Sequence, residues 1–212
     1  MKRIELLKQF IIESDLIENI KDDPDFVKEE LKNGKKDGHV GAILFCAQLA
    51  KDKNRSLSEA DIKKVQGLIT EEQGKKRADL KLKPEWIGDY RNINVGVGGR
   101  TCPHYHQVPE LMKGLVLQIQ EWQKCWQEFS EIQNLAMLAD YHYDFEMIHP
   151  FADGNGRAGR AIIFYLMLYM NRRPFIFTNF DKYDFYYPPL QIQNKKMMRH
   201  YFYRKTGNLT WK

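Results

Sequence analysis

The chain has 212 residues and a mass of 25.2 kDa, which is room for one ordinary domain with a small accessory segment and excludes two independent cores. Hydrophobic residues make up 43% of the sequence and aromatic residues 13%, which excludes global disorder. The formal net charge is +5, but residues 195–212 carry six basic side chains and no acidic one, so the rest of the chain sums to −1 and no nucleic-acid partner is expected.

The apolar stretches are too short for a membrane span. The longest apolar run, residues 161–170, has ten residues, about half of the roughly 20 that a spanning helix needs. Charged residues interrupt the apolar stretch near the N-terminus, so no secretory leader is expected. The three cysteines lie far apart and without CxxC spacing, which is typical of reduced thiols. We therefore expect a cytoplasmic protein without a membrane partner.

Helical periodicity dominates the predicted elements in chain order. The predicted helices cover about residues 4–20, 40–49, 57–71, 109–129, 132–147, 161–171 and 182–203. The sequence DDP at 22–24 ends the first helix, Ser56 and Glu59 form a capping-box pattern before the third, and Pro109 suits the first turn of the fourth. Residues 75–83 form a charged connector, and the basic residues near the C-terminus are expected to be a solvated helix end.

Between the third and fourth predicted helices the helical period stops. Apolar and small residues alternate through Val95, Gly96 and Val97, and the glycines and the proline that follow break the run. We therefore predict a short hairpin or flap over about 90–108. The fold class that follows is all-α, a helical bundle with one small β-hairpin.

The segment HPFADGNGRAGR concentrates polar residues before a strongly apolar helix. Gly154 and Gly156 bracket Asn155, so backbone N–H groups can converge on an anion at a helix start. Arg157 and Arg160 are three residues apart, hence on one face of the first helical turn. In that position they could hold two successive phosphates from one side.

Two further residues of this segment add chemistry to the anion site. Asp153 supplies a hard oxygen ligand for Mg²⁺, and His149 is a base near neutral pH. An anion cradle, a cation ligand, a charge clamp and a base together predict phosphoryl or nucleotidyl transfer. Any one of these residues alone is better explained as part of a tight inter-helix turn, a helix cap, a solvated face or a core histidine.

Residues 149–160 resemble the motif HxFx(D/E)GNGRxxR of the Fic family at all eight specified positions. The resemblance implies a Fic-type helical bundle over 36–212, with the active-site loop at 149–160 and an N-terminal segment over 1–35 in front of it. It also implies a nucleotidyltransferase that uses ATP and Mg²⁺. Such an enzyme moves AMP from ATP onto a Ser, Thr or Tyr hydroxyl of a target protein, or onto itself.

The resemblance gives each motif residue a role. His149 would be the general base that removes the proton of the target hydroxyl, and Asp153 would hold Mg²⁺. The phosphates would be held by an anion hole and two arginines: Gly154, Asn155, Gly156, Arg157 on the β-phosphate side and Arg160 on the γ-phosphate. The related Doc kinases carry a lysine where this chain has Gly156, which favours AMP transfer over phosphorylation.

Ser14 and Glu18 fit (S/T)xxxE(G/N), the pattern of the inhibitory helix of Fic proteins. Their N-terminal position resembles the subgroup in which the inhibitor precedes the Fic core. Glu18 would then pair with Arg160 and leave ATP in an unproductive pose, with Ser14 positioning the helix. The alternative is a solvated acidic helix face. In some relatives the inhibitory glutamate also supports removal of AMP, so deAMPylation stays open.

The flap and the aromatic residues after the motif have weaker signals. The predicted flap resembles the Fic flap, whose edge could hold a target segment as an added strand through Val95, Gly96 and Val97. An ordinary hairpin that covers the core would show the same pattern. Tyr186 and Tyr187 could stack on an adenine base, although their spacing is also typical of core residues.

Other functions stay open on the sequence alone. The chain could be a non-catalytic nucleotide-binding interaction module, or it could transfer another nucleotide or a phosphate group. The presence of both His149 and Asp153 argues against a binding module, because binding alone needs no base. A homodimer is compatible with the sequence, and the length leaves little room for a separate DNA-binding domain.

Overall fold

The computed structural model describes residues 3–76 and 83–207, apart from the side chains of 73–76, so the predicted connector over 75–83 lies largely outside the described residues. The helices are α1 (Arg3–Ile17), α2 (Pro24–Lys32), α3 (Gly38–Leu49), α4 (Glu59–Lys76), α5 (Val108–Cys125), α6 (Glu131–Ile148), α7 (Asn155–Tyr169), α8 (Tyr187–Gln191) and α9 (Lys195–Lys205). Strands β1 (Gly96–Val97) and β2 (Arg100–Thr101) form an antiparallel hairpin that pairs Gly96 with Thr101 and Val97 with Arg100. The predicted all-α fold with a small hairpin is confirmed. None of the described helices has the length and hydropathy that crossing a membrane requires.

Helix α7 lies at the centre of the bundle, because the sequence AIIFYLMLY makes it apolar on every face. Its buried residues run from Asn155 to Tyr169, and it packs against α3, α4 and α6. The N-terminus of α7 lies close to the C-terminal half of α1, where Arg160 donates to Ser14. The start of this helix, where backbone N–H groups have no partner within the helix, is therefore inside the protein rather than on its surface.

The N-terminal segment is part of the same hydrophobic core. Phe10 and Ile17 of α1 are 1% and 0% exposed, and Val27 of α2 joins the same cluster of buried side chains. The sequence DDP, which we expected only to end the first helix, also opens α2. Asp23 accepts the N–H groups of the first turn of α2 (2.8 and 3.2 Å), and Pro24 occupies the first helical position.

The N-terminal cap of α4 differs from the prediction. Ser58 accepts the N–H of Asp61 (3.2 Å), and the Asp61 carboxylate accepts the N–H of Ser58 (3.0 Å). The predicted capping box of Ser56 and Glu59 is therefore wrong, and the reciprocal pair lies two residues further along the chain. Arg55 also donates to Asp61 (2.7 Å), which adds a charged partner to the observed cap.

The single helix predicted over 182–203 is wrong. A π-helical turn leads into the short α8, and α9 starts separately after a break. The two prolines at 188–189 cannot donate the backbone hydrogen bonds of a continuing helix, and Gln193 has a φ of 56°, in the left-handed region. Asn194 then caps α9 by accepting the N–H of Met197 (3.2 Å).

Three basic residues near the C-terminus, Lys195, Arg199 and Lys205, are ion-paired, contrary to the solvated helix end that we expected. Lys195 and Arg199 of α9 contact Asp144 (2.6 Å) and Asp140 (2.5 Å) of α6. The positive charge of this segment therefore docks α9 against an acidic face of α6. Helix α6 carries the predicted catalytic base at its C-terminal end, so these contacts also hold the element that positions the site.

Candidate active site

A sharp corner joins α6 to α7. His149 caps the C-terminus of α6 with φ 52° and ψ 62°, and Gly154 caps the N-terminus of α7 with φ 78°, so both residues adopt the left-handed conformation. The active-site loop predicted over 149–160 is therefore shorter than expected. The connection covers 149–154, and α7 already begins at Asn155, so both motif arginines lie on a helix.

Side chains within the corner fix its shape. The Asn155 amide accepts the N–H of Phe151 (2.8 Å) and donates to the carbonyl of the same residue (2.9 Å). Phe151 is fully buried, and Gln66 of α4 donates to the carbonyl of Asp153 (3.0 Å). The Asn155 side chain thus shapes the loop, and it is the backbone N–H groups at the start of α7 that can meet an anion.

A cavity of about 200 Å³ lies at the N-terminus of α7. Residues that are distant in sequence line it together: Glu18, Val97, Glu146, His149, Gly156 and Arg160. All of them except Glu146 were named from the sequence. Glu146 precedes His149 by one helical turn on the buried face of α6, so its place in the helical period was a signal that could have identified it.

His149 is the titratable base of the cavity. Burial, together with the positive charges of Arg100 and Arg91, lowers the pKa of His149 to about 4. Its Nδ1 atom is buried and has no hydrogen-bond partner among the described residues. The imidazole is therefore neutral at pH 7 and can accept a proton.

Two flap arginines hold the C-terminal end of α6. Arg91 is 2% exposed and donates to the carbonyls of His149 (2.8 Å), Ile93 (2.8 Å) and Pro103 (2.6 Å). Arg100 donates to two carbonyls in the last turn of α6 (2.5 and 3.1 Å). These carbonyls have no partner within the helix, and positive charge at a helix C-terminus is favourable. The flap and the backbone of the candidate base are therefore fixed to each other.

Arg160 is fully buried and faces the segment at the end of α1. Its Nε donates to the Ser14 hydroxyl (2.8 Å), and its Nη2 donates to the Ser14 carbonyl (2.8 Å) and to Glu18 Oε1 (2.7 Å). Burial alone would raise the pKa of Glu18, but the charge and hydrogen bond of Arg160 lower it below its usual value. Glu18 lies just beyond Ile17, the last residue of α1, whereas the sequence predicted a helix to about residue 20.

The Glu18 carboxylate rests against the start of α7. A Cβ atom built on Gly156 would lie 2.3 Å from Glu18 Oε1 and 2.9 Å from Arg160 Nη1, both too close for real contacts. Position 156 must therefore be glycine for Glu18 and Arg160 to meet as they do. A lysine at this position would collide with the carboxylate.

The other two charged motif residues, Arg157 and Asp153, do not line this cavity. Arg157 is 5% exposed and lines a second cavity of about 340 Å³, where its Nη1 lies 3.9 Å from Asp15 Oδ1. The expected one-sided clamp by both arginines is therefore not seen, because the two side chains line different cavities. The Asp153 carboxylate is half-buried and accepts the N–H of Gly154 (2.7 Å).

The described residues contain no cluster of three or more potential metal ligands. A single carboxylate nevertheless fits Mg²⁺, because this ion is usually bound by one or two carboxylates together with water and substrate phosphates. Asp153 is half-buried and sits one residue before the turn into α7, which is a suitable place for such a carboxylate.

Tyr186 and Tyr187 line the same cavity in different ways. Tyr186 is 1% exposed, and its hydroxyl accepts from Arg160 Nη1 (3.3 Å) and lies 3.0 Å from His142 Nε2. Burial lowers the pKa of His142 to about 3, so this ring is neutral and its Nε2 can accept a hydrogen bond from the Tyr186 hydroxyl. Tyr186 is thus a core residue that supports Arg160. Tyr187 is half-buried, and its hydroxyl donates to the carbonyl of Ile17 (3.3 Å).

The hairpin presents Val97, Gly98 and Arg100 to the cavity. Val97 lines the cavity and is 37% exposed, while Gly96 beside it is paired with Thr101. Val95 accepts the N–H of Cys102 (3.1 Å), which continues the pairing beyond the strands. The flap edge therefore borders the cavity that holds His149.

Comparison with known proteins gives a family match. The model of the Fic/DOC family matches residues 56–167. The chain is 30% identical to a protein from Culex quinquefasciatus named protein adenylyltransferase Fic, over 53% of this chain and 21% of that protein. A protein of the same name from Drosophila grimshawi is 30% identical over 57% of this chain and 21% of its own length. The chain thus spans about a fifth of the length of these relatives.

Solved structures share the fold. A Fic domain containing signaling protein from Bacteroides thetaiotaomicron matches with a TM-score of 0.69 and 16% identity, over 99% of this chain and 90% of that one. Fic-1 from C. elegans matches with a TM-score of 0.63 and 18% identity, over 98% of this chain and 62% of that one. At these identities the likeness supports the fold of the chain and nothing finer.

Proposed function

The chain belongs to the Fic/DOC family, and from that premise we propose that it is a protein adenylyltransferase held inactive by its own N-terminal segment. It would transfer AMP from ATP to a Ser, Thr or Tyr hydroxyl of a target protein or of itself. The observation that carries this proposal is the cavity at the start of α7, where a neutral histidine, a buried arginine and a glycine meet. The Glu18 carboxylate lies in this cavity, against Arg160 and Gly156.

The reaction is an in-line displacement at the α-phosphorus of ATP. His149, neutral at pH 7, accepts the proton of the target hydroxyl as its oxygen attacks, and pyrophosphate leaves on the opposite side. Backbone N–H groups at the start of α7 face the charge that grows on the phosphate oxygens. Arg160 binds the γ-phosphate once Glu18 no longer holds its guanidinium. Arg157 lines the second cavity beside Asp15 and takes no part in this step.

Magnesium fits this scheme through one residue. Asp153 would hold Mg²⁺, which neutralises phosphate charge when it is bound to the nucleotide. The remaining ligands would come from the phosphates and water, since the described residues offer no larger cluster of metal ligands.

The flap and α8 would place the two substrates. The exposed edge of β1 at Val97 suits a target segment added as a strand, whose main chain would be held by hydrogen bonds. Tyr187 and Leu190 line the same cavity as Val97 and would form the adenine wall. Tyr186 is left out of that wall, because it is 1% exposed and its hydroxyl contacts the Arg160 guanidinium (3.3 Å).

Glu18 supplies the inhibition. Its carboxylate takes the Arg160 hydrogen bond that a γ-phosphate would need, at 2.7 Å. With Glu18 in place the cavity has a volume of about 200 Å³, below the ~300 Å³ at which ligand pockets usually begin. ATP cannot reach a productive position until Glu18 moves.

Labelling with α-³²P ATP and Mg²⁺ tests the proposal. Glu18→Gly should raise transfer of label to protein by at least about tenfold, because a hydrogen bond between charged groups contributes about 1.5–3 kcal/mol. Glu18→Gly with His149→Ala should bind ATP but transfer no label. Glu13→Gln is the matched control, since the Glu13 carboxylate accepts the N–H of Asn179 instead of facing the cavity.

Two results would contradict the proposal. Equal labelling of wild type and Glu18→Gly would refute the inhibitory role. Label transfer that survives His149→Ala would refute the catalytic role of the histidine. Mass spectrometry of the protein after incubation with unlabelled ATP and Mg²⁺ would show which group is transferred. An added phosphate alone, without label from α-³²P ATP, would replace AMP transfer with phosphorylation.

A further inference from the structure

Glu146 is a buried acid in the cavity that the proposed reaction does not use. It is 5% exposed, and its Oε1 atom has no hydrogen-bond partner among the described residues. The same oxygen lies 2.5 Å from the position that a Cβ of Gly159 would take, so the carboxyl group rests on the backbone of α7 beside Arg160. A buried carboxyl oxygen without a partner, in a cavity built for anions, needs an explanation.

Charged and titratable groups face Glu146 from every element around it. They are Arg160 of α7, Glu18 after α1, Arg100 of the hairpin, Tyr186 and Tyr187 before and in α8, and His142 and His149 of α6. Burial raises the pKa of Glu146 to about 7. Arg160 acts in the opposite direction, and Glu18 adds to the rise because its negative charge disfavours a second one.

The charge of Arg160 is balanced differently in the two states of the cavity. While Glu18 pairs with Arg160, the guanidinium is neutralised and a second carboxylate beside it is unfavourable. When Glu18 leaves and nothing replaces it, the buried guanidinium has Glu146 as its neighbouring acid, and the ionised form of Glu146 is favoured. When a terminal phosphate then binds Arg160, the guanidinium is neutralised again, and the ionised form of Glu146 is again unfavourable.

We propose that Glu146 takes up a proton whenever an anion occupies Arg160, so that ATP binding in this cavity is linked to proton uptake. The occupying anion is Glu18 in the inhibited state and the terminal phosphate of ATP in the active state. This inference rests on the proposed function, because it takes ATP as the ligand. A group whose pKa rises on binding favours binding at low pH, so ATP affinity falls as pH rises toward the bound-state value.

Calorimetric titration with ATP and Mg²⁺ tests the linkage without any catalytic turnover. Glu18→Gly is the reference, because it lacks the internal anion, and Glu18→Gly with Glu146→Gln carries a permanent mimic of the protonated acid. The ratio of the Kd at pH 8 to the Kd at pH 6 should be at least about threefold larger for the reference, which corresponds to half a pKa unit. The ionisation of ATP itself cancels in this comparison.

Two controls sharpen the experiment. Asp144→Asn in the Glu18→Gly background should keep the pH dependence of the reference, because Asp144 is an acid of the same helix that pairs with Lys195 away from the cavity. Measuring heats in two buffers with different ionisation enthalpies counts the protons. The reference should take up a fraction of a proton near pH 7, and the Glu146→Gln variant should take up less.

The outcomes separate the two proposals. ATP binding with equal pH dependence in the reference and in the Glu146→Gln variant would overturn the role of Glu146 and leave the proposed function standing. No ATP binding by Glu18→Gly at either pH would overturn both. A Glu146→Gln variant that fails to bind ATP at pH 6 would also overturn the inference, because the amide should replace the protonated acid there.

Discussion

Replacing Arg91 by lysine tests whether the flap holds the candidate base in position. Arg91 is a buried cation whose three short hydrogen bonds, at 2.6 to 2.8 Å, go to the backbone carbonyls of His149, Ile93 and Pro103. Arg91→Lys keeps the positive charge but loses the planar fork that reaches several acceptors at once.

The size of the effect follows from these contacts. A hydrogen bond to a charged group contributes about 1.5–3 kcal/mol, and a lysine ammonium in this place keeps one of the three short bonds. Losing two of them lowers the free energy of unfolding by at least about 3 kcal/mol. For a chain of this length, that loss corresponds to a fall in Tm of about 6–12 °C.

Thermal unfolding measures this loss, with Arg172→Lys as the matched control. Arg172 has a half-exposed side chain that contacts Glu131 at 3.3 Å, so its substitution should change stability by about 0.5 kcal/mol or less. In the Glu18→Gly background, Arg91→Lys should also reduce AMP transfer while the Kd of ATP stays unchanged, because it disturbs His149 and leaves Arg160 in place. An Arg91→Lys variant within 1 kcal/mol of wild type would refute the reasoning.

Two further results are expected for the cavity. Ser14→Ala removes the bond from Arg160 Nε (2.8 Å) but keeps the backbone acceptor, so AMP transfer should rise by about tenfold, less than in Glu18→Gly; unchanged labelling would contradict this role. In Glu18→Gly at saturating ATP, activity should fall on acidification only well below the pKa of ~6.5 of an ordinary histidine, because protonation of His149 removes the base and burial lowers its pKa. A loss of activity centred between pH 6 and 7 would contradict that assignment.

The residues of the candidate site that the sequence could predict are those whose chemistry is set by near neighbours in the chain. The corner from His149 to Arg160 is continuous, so its glycines and its apolar continuation indicate a turn into a buried helix. Glu146 was not predicted as a site residue, because it belongs to the site only through Gly159 and Arg160. The packing of α6 on α7 brings these residues beside it. The helical period places Glu146 on the buried face of α6, one turn before His149, but no local pattern shows which residues of α7 pack against it.

The misplaced cap of α4 shows a limit of a different kind. Ser56 and Ser58 each have an acidic residue three positions later, so the local pattern fits both as caps. The structure uses Ser58, whose partner Asp61 is 4% exposed and also receives Arg55 (2.7 Å). Burial of that acid with a charged partner decides between two equivalent patterns, and burial is a property of the folded chain.

The packing of α1 determines how the proposed inhibition can be released. Phe10, Ile11 and Ile17 are at most 1% exposed, and burying each such side chain contributes about 1.5–3 kcal/mol. Undocking α1 would therefore cost at least about 4.5 kcal/mol, a large part of the 5–15 kcal/mol that typically holds a domain together. Glu18 follows the last residue of α1, and its side chain is 31% exposed. Release therefore requires movement of the turn that carries Glu18, while α1 stays in the core and keeps the cavity formed.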